Sequence, residues 1–182
     1  MARSAVRTPG RRSSPRMAKP FLAILLSGKH TLPVLEVMFE TGLLGVFIPE
    51  FARIDALAQH DVYHIYTVDR HSLQTVDELH TVVAEEPEIS EVISRKRPFF
   101  LAALLHDIGK NSGKDHSEYG AEVVKTVAER LCLEQEELDD LSFLVRYHLF
   151  IPENALRRDL DDAAFITRCA ETIGCRERLA ML

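Results

Sequence analysis

Apolar residues recur along this chain at helical spacing, and no stretch of useful length alternates apolar and polar as a half-buried strand would. Pro20 and Pro33 bracket an apolar stretch, residues 21–31, that predicts a short helix. Residues 35–41 predict a second, ended by Gly42. Residues 43–51 are apolar but interrupted by Gly45 and Pro49, which predicts a connecting turn that packs inward. Residues 54–86 then run without Gly or Pro. Leu57, Val62, Ile65, Val68, Leu73, Val76, Leu79 and Val83 approximate the buried face of one long helix there. Pro87 and Pro98 mark the next loop region, and residues 99–105 form a solidly apolar helix leading straight into His106. The following run, residues 109–114, holds two glycines and no apolar side chain, so it reads as a polar loop. Asp115 then suits an N-cap, with Glu118 three residues on at capping-box spacing, and the helix it starts carries Val123, Val124, Val127 and Leu131. Residues 134–149 and 159–173 predict two further helices, the last ended by Gly174. The expected fold is all-α, a helical bundle without internal repeats.

A chain of 182 residues fits one domain, and its 46% hydrophobic and 27% charged composition is ordinary for a globular protein. No stretch approaches the ~18 apolar residues of a membrane span. Cys132, Cys169 and Cys175 are too few and too scattered for a disulfide framework or a cysteine-rich zinc site, so a reducing, cytoplasmic setting is expected. Charge is unevenly spread. Residues 1–20 hold six of the 22 basic residues and no acid, leaving 16 basic against 28 acidic residues, or −12, on the rest. An acidic body argues against nucleic acid as the main partner. The Arg- and Ser-rich head could serve as an organelle transit peptide, but a flexible basic linker over residues 1–20 is the preferred reading, with the domain at residues 21–182.

Eight histidines are present, and their placement carries the candidate chemistry. His60, His64 and His71 fall at about 0°, 40° and 20° around the long predicted helix, so three imidazoles share one face. A solvated polar stripe explains such a row equally well. His80 falls on the opposite side and is expected at the surface. A His-Asp dipeptide is weak evidence alone, but burial of residues 99–105 would deliver His106 and Asp107 together at the end of a rigid element. Adjacent ligands of this kind serve a metal site when one carboxylate bridges two ions. His116 opens the next helix and His148 sits near the end of the one after. Imidazole and carboxylate donors do not by themselves choose the metal.

Taken together, Arg70-His71-Ser72-Leu73, Leu105-His106-Asp107-Ile108-Gly109-Lys110, His116-Ser117-Glu118-Tyr119-Gly120-Ala121 and Tyr147-His148 resemble the HD superfamily of metal phosphohydrolases. Three further segments are similar to the central domain of the bacterial uridylyltransferase/uridylyl-removing family. They are Phe51-Ala52-Arg53-Ile54, residues 59–71 from Gln59-His60-Asp61 to Asp69-Arg70-His71, and Phe143-Leu144-Val145-Arg146-Tyr147-His148-Leu149. The likeness covers roughly residues 17–182.

That resemblance implies an HD-domain helical bundle with a divalent metal, Mg or Mn first and Fe or Zn as alternatives. His71, His106, Asp107, His116 and His148 would be its ligands. Asp107, Lys110, His64 and His60 would be the catalytic residues, Lys110 meeting a phosphate oxygen and His60 and His64 touching substrate or moving protons. A solvated loop lysine is the competing reading of Lys110. The implied reaction is metal-assisted phosphodiester hydrolysis that releases UMP from the uridylylated P-II signalling protein, with no membrane or nucleic-acid partner. The parent enzymes also carry nucleotidyltransferase and glutamine-sensing ACT domains, for which this chain has no signature. HD sites usually close with a late Asp, expected shortly after residues 177–182, so the domain is expected to continue past Leu182. Asp159, Asp161 and Asp162 are expected to cap a helix instead. Hydrolysis of a free nucleotide is one alternative. A non-catalytic regulatory module is the other.

Overall fold

In the computed structural model, which describes residues 15–58, 67–157 and 162–182, every regular element is helical. The order is α1 (Pro15–Leu25), α2 (Thr31–Glu40), α3 (Leu44–Phe47), α4 (Val68–Glu85), α5 (Pro87–Val92), α6 (Lys96–Leu105), α7 (His116–Arg130), α8 (Gln135–Tyr147), α9 (Phe150–Arg157), α10 (Ala163–Ile173) and α11 (Arg176–Met181). Short 3-10 turns lie at Gly28–His30 and Pro49–Arg53. The all-α expectation holds.

A helix that is apolar on every side must be enclosed. Accordingly α6 lies at the centre, with Pro98 through Leu105 all buried and α1, α4 and α8 packed around it. Farther out, α2 lies on α4 and α7 lies along α8. Phe21, Leu25, Leu35, Leu73, Leu104 and Leu141 join one continuous core through these contacts. At the far end, buried Asp140 accepts hydrogen bonds from Arg95 Nε at 2.6 Å and Arg178 Nε at 2.8 Å. Glu177 accepts the backbone N–H groups of Ser94 and Arg95, so α11 is fastened to the entry of α6. No single helix among the described residues is long and apolar enough to cross a membrane.

The helix expected over residues 54–86 is shorter than its pattern suggested. Residues 54–58 are turned, with Ala56 at φ 53°, and α4 begins only at Val68. The buried Asp69 carboxylate accepts the Ala56 N–H at 2.9 Å, and Val68 N–H donates to the Leu57 carbonyl at 2.9 Å. These bonds fold the chain back over the first turn of α4, and an apolar period cannot announce them. His60 and His64, expected beside His71, lie outside the described residues.

Smaller differences follow. α1 starts at Pro15 and passes through Pro20 with Ala18 buried, ahead of the boundary expected at residue 20. A short helix, α5, occupies part of the expected loop between Pro87 and Pro98. His80 is not a free surface residue. Its ring stacks on Phe100 at 4.0 Å between centroids, and Nε2 lies 3.0 Å from the Leu25 carbonyl and 3.1 Å from the Thr31 hydroxyl. Burial pushes its pKa below the ordinary value, against the opposing effects of the Leu25 bond and Asp77.

Candidate metal centre

Burying α6 fixes where its last residues emerge. His106 caps the helix, and its Nδ1 lies 3.0 Å from the Ala103 carbonyl. Asp107 follows and is only 3% exposed. Tight turns continue from there, with Ile108 N–H donating to Leu105 and Lys110 N–H to Asp107, both at 3.0 Å. Ile108 is fully buried and anchors the loop. Asn111 and Gly113 take positive φ of 61° and 73°, which turns the chain towards α7. There Asp115 is the N-cap, accepting the Glu118 N–H at 2.9 Å, while the Glu118 carboxylate pairs with Arg146 at 2.9 Å. The reciprocal capping box is found at the start of α8, between Glu134 and Glu137.

Four helices bring their histidines to one carboxylate. His71 on α4 has its ring 5.1 Å from that of His106, and His148 at the end of α8 lies 5.3 Å from His106 and 5.4 Å from His116. Around Asp107, Oδ2 lies 3.2 Å from His106 Nε2 and 2.7 Å from Lys110 Nζ, and Oδ1 lies 3.7 Å from His148 Nε2 and 3.9 Å from His116 Nε2. Two clusters result, His71–His106–Asp107 and Asp107–His116–His148, each with donor atoms within 4.8 Å of one another. Asp107 belongs to both, and among the described residues it is the only carboxylate in either.

The hydrogen bonds show why this arrangement suits a cation. A carbonyl can only accept, so the Nδ1 atoms of His106 and His148, at 3.0 Å and 2.8 Å from Ala103 and Val145, carry their protons there. Each Nε2 is then turned towards Asp107. A neutral imidazole would set its lone pair against carboxylate lone pairs, which a proton or a shared metal ion relieves. Carbonyl bonds of this kind orient histidine ligands generally. Burial works to raise the Asp107 pKa, but hydrogen bonds and charge from His106 and Lys110 outweigh it and hold the carboxyl well below the usual range. Burial lowers the His148 pKa, against the Val145 bond, which keeps that imidazole ready to donate its lone pair.

Lys110 is not a solvated loop lysine: its side chain is 16% exposed and reaches the centre of the cluster. His116, at 31%, is more open than His106 at 12% or His148 at 14%, and a groove of about 330 Å³ starts beside it. Asp115, Glu118, Arg146, Tyr147, Phe150 and Glu153 contribute to its walls. Asp162 caps α10 by accepting the Ala164 N–H, as expected, and Asp159 and Asp161 lie outside the described residues.

One site determinant, Gly109, is expected from the sequence only as a loop glycine. Gly109 lies against the first turn of α7 so closely that a Cβ would overlap the His116 carbonyl. The signal was present in the Ile108-Gly109-Lys110 run, but a loop glycine usually means a turn, and the glycine here is needed for space.

A helical bundle that delivers histidines from four helices onto one buried aspartate defines a candidate divalent-metal centre. The HD domain family matches residues 68–173, more than half of the chain, and the chain belongs to that family. It is 39% identical over 184 residues to the bifunctional uridylyltransferase/uridylyl-removing enzyme of Gluconobacter oxydans, a match covering 94% of this chain and 19% of that enzyme. The enzymes of the same name from Azospirillum brasilense and Cereibacter sphaeroides are each 39% identical, over 96% and 89% of this chain and 20% and 18% of their own lengths. The chain thus spans about a fifth of the relatives it matches.

Proposed function

We propose that this domain hydrolyses the phosphodiester linking UMP to a P-II signalling protein, using one or two divalent ions held by His71, His106, Asp107, His116 and His148. The observation that carries the reading is the shared position of Asp107 between two histidine clusters. Mg or Mn is the proposed metal. When bound, the ion supplies positive charge for the phosphoryl oxygens and acidifies the attacking water.

The chain's own residues account for the rest. Ala103 and Val145 carbonyls fix the ring orientation of His106 and His148, so their Nε2 atoms face inward without rotamer search. Lys110, held 2.7 Å from Asp107, stands where its ammonium can neutralise a phosphoryl oxygen. Water adds to phosphorus, the bond to the tyrosyl oxygen breaks, and that oxygen leaves with a proton, giving UMP and the unmodified tyrosine. His60 and His64 are proposed for substrate contact or proton transfer, on the resemblance alone.

A protein-borne nucleotide needs an open approach, whereas a free nucleotide can be enclosed. The groove beside His116 is open among the described residues, which supports the protein substrate. A cytoplasmic location goes with that partner. The test is UMP release from uridylylated P-II with Mn²⁺ present, by this chain and its Asp107→Asn variant. Release by the first and not the second is expected. Hydrolysis of free nucleotides with no release from P-II would transfer the proposal to a nucleotidase, and no hydrolysis of either, by this chain or by one extended past Leu182 to the late Asp, would favour a regulatory module.

A further inference from the structure

We propose that Gly109 is a positioning residue that sets the second half of the metal cluster, because its missing side chain lets the loop after Asp107 touch the backbone of α7. The inference rests on the two-ion reading of the site. A Cβ at Gly109 would overlap the His116 carbonyl oxygen and lie 2.6 Å from the Gly120 backbone nitrogen. Both are main-chain atoms, so no rotamer change relieves the overlap. The backbone of Gly109 is not in the left-handed region, so conformational freedom is not what requires glycine here.

The direction of the resulting shift can be argued. The loop cannot retreat, because Ile108 is fully buried beside it and its N–H is bonded to Leu105 at the end of α6. The start of α7 has to yield instead, by roughly an ångström to restore an ordinary carbon–oxygen contact. His116 is the first residue of α7, and its Nε2 already stands 3.9 Å from Asp107. Ligand sets tolerate about 0.5 Å of misplacement, so the Asp107–His116–His148 cluster would open. His71 and His106 belong to α4 and the end of α6, so the Asp107 cluster they form should persist.

Gly120 faces Gly109 in the same contact and provides a matched control. A Cβ there meets the Val145 side-chain methyl at 3.0 Å and the Gly109 nitrogen only at 3.5 Å, an ordinary contact. Alanine at 120 therefore presses on a side chain of α8 and leaves the start of α7 in place.

The experiment is calorimetric titration of the full chain with Mn²⁺ alone, with electron paramagnetic resonance to detect coupled Mn pairs. Wild type should take two ions per chain and show coupling. Gly109→Ala should take one and lose the coupling, Gly120→Ala should keep two, and His116→Ala should match Gly109→Ala. Adding Gly109→Ala to His116→Ala should then change nothing more, which a purely structural role for Gly109 would not produce. Two ions with unchanged affinity in Gly109→Ala would overturn the proposal. A single ion in wild type would instead overturn the two-ion reading beneath it. Failure of Gly109→Ala to fold where Gly120→Ala folds would show a structural rather than a positioning role and overturn the proposal equally.

Discussion

Replacing Asp107 with asparagine tests the centre of the argument, because it keeps the shape of the side chain and removes the charge shared by both histidine clusters. An ion that binds only the folded chain adds about 2.7 kcal/mol of stability at a concentration 100 times its Kd. For a chain of 182 residues each kcal/mol raises Tm by about 2–4 °C, so saturating Mn²⁺ should raise the wild-type Tm by roughly 5–11 °C. In Asp107→Asn neither cluster has a carboxylate among the described residues, and the rise should shrink to about 2 °C or less. The metal-free comparison has its own magnitude. Breaking a fully buried ion pair costs about 3–5 kcal/mol, but the Lys110 side chain is 16% exposed and can turn its ammonium to water, so about 1–2 kcal/mol is expected. Thermal melts by far-UV circular dichroism, with and without Mn²⁺, measure both quantities. A full Mn²⁺-dependent rise in Asp107→Asn would refute the placement of the metal at this residue.

Three further outcomes follow from particular contacts. Lys110→Met should lower phosphodiester turnover about 100-fold while Mn²⁺ still binds by calorimetry, since the lysine contributes charge and no ligand atom; unchanged turnover would return Lys110 to a structural role. Leu104→Ala, at a fully buried position of α6, should cost about 2–5 kcal/mol in urea unfolding. His80 has its pKa lowered by burial, so the fold favours its neutral form; that contribution is complete above the ordinary value of 6.5 and is lost as pH falls below it. Against His80→Gln, which keeps a hydrogen-bonding group but does not titrate, wild type should lose stability between about pH 7.5 and pH 5. Parallel stability curves would show that His80 does not titrate differently on folding.

Much of this was legible because it depends on local pattern. An apolar run as continuous as residues 99–105 could only be an enclosed helix, and enclosure makes the His106-Asp107 step rigid. Asp115 as the N-cap of α7 and Asp162 as that of α10 were equally readable, since both act within three residues. What was not legible depends on distant partners. The true start of α4 is set by Asp69 reaching back to Ala56, thirteen residues away. His80 looked like a surface residue because its partners, Thr31 and Leu25, come from a different part of the chain. Gly109 was legible as a loop glycine, but the backbone it must clear belongs to the next helix.

The same helix ends explain why the site favours a cation before any metal chemistry is considered. His106 and His148 are both C-caps, so α6 and α8 each direct the negative end of the helix dipole towards Asp107. Each such end favours a positive charge by about 0.3–1 kcal/mol, and the buried carboxylate adds to them. His116 stands at the opposite kind of end, where α7 begins, but the Asp115 carboxylate already caps that end by accepting the Glu118 N–H. The groove beside His116 is itself walled by Asp115, Glu118 and Glu153, with Arg146 as counter-charge, so the centre favours a cation out to its open side. His116 reaches Asp107 only while the start of α7 stays where the Gly109 contact holds it, which gives that contact its consequence.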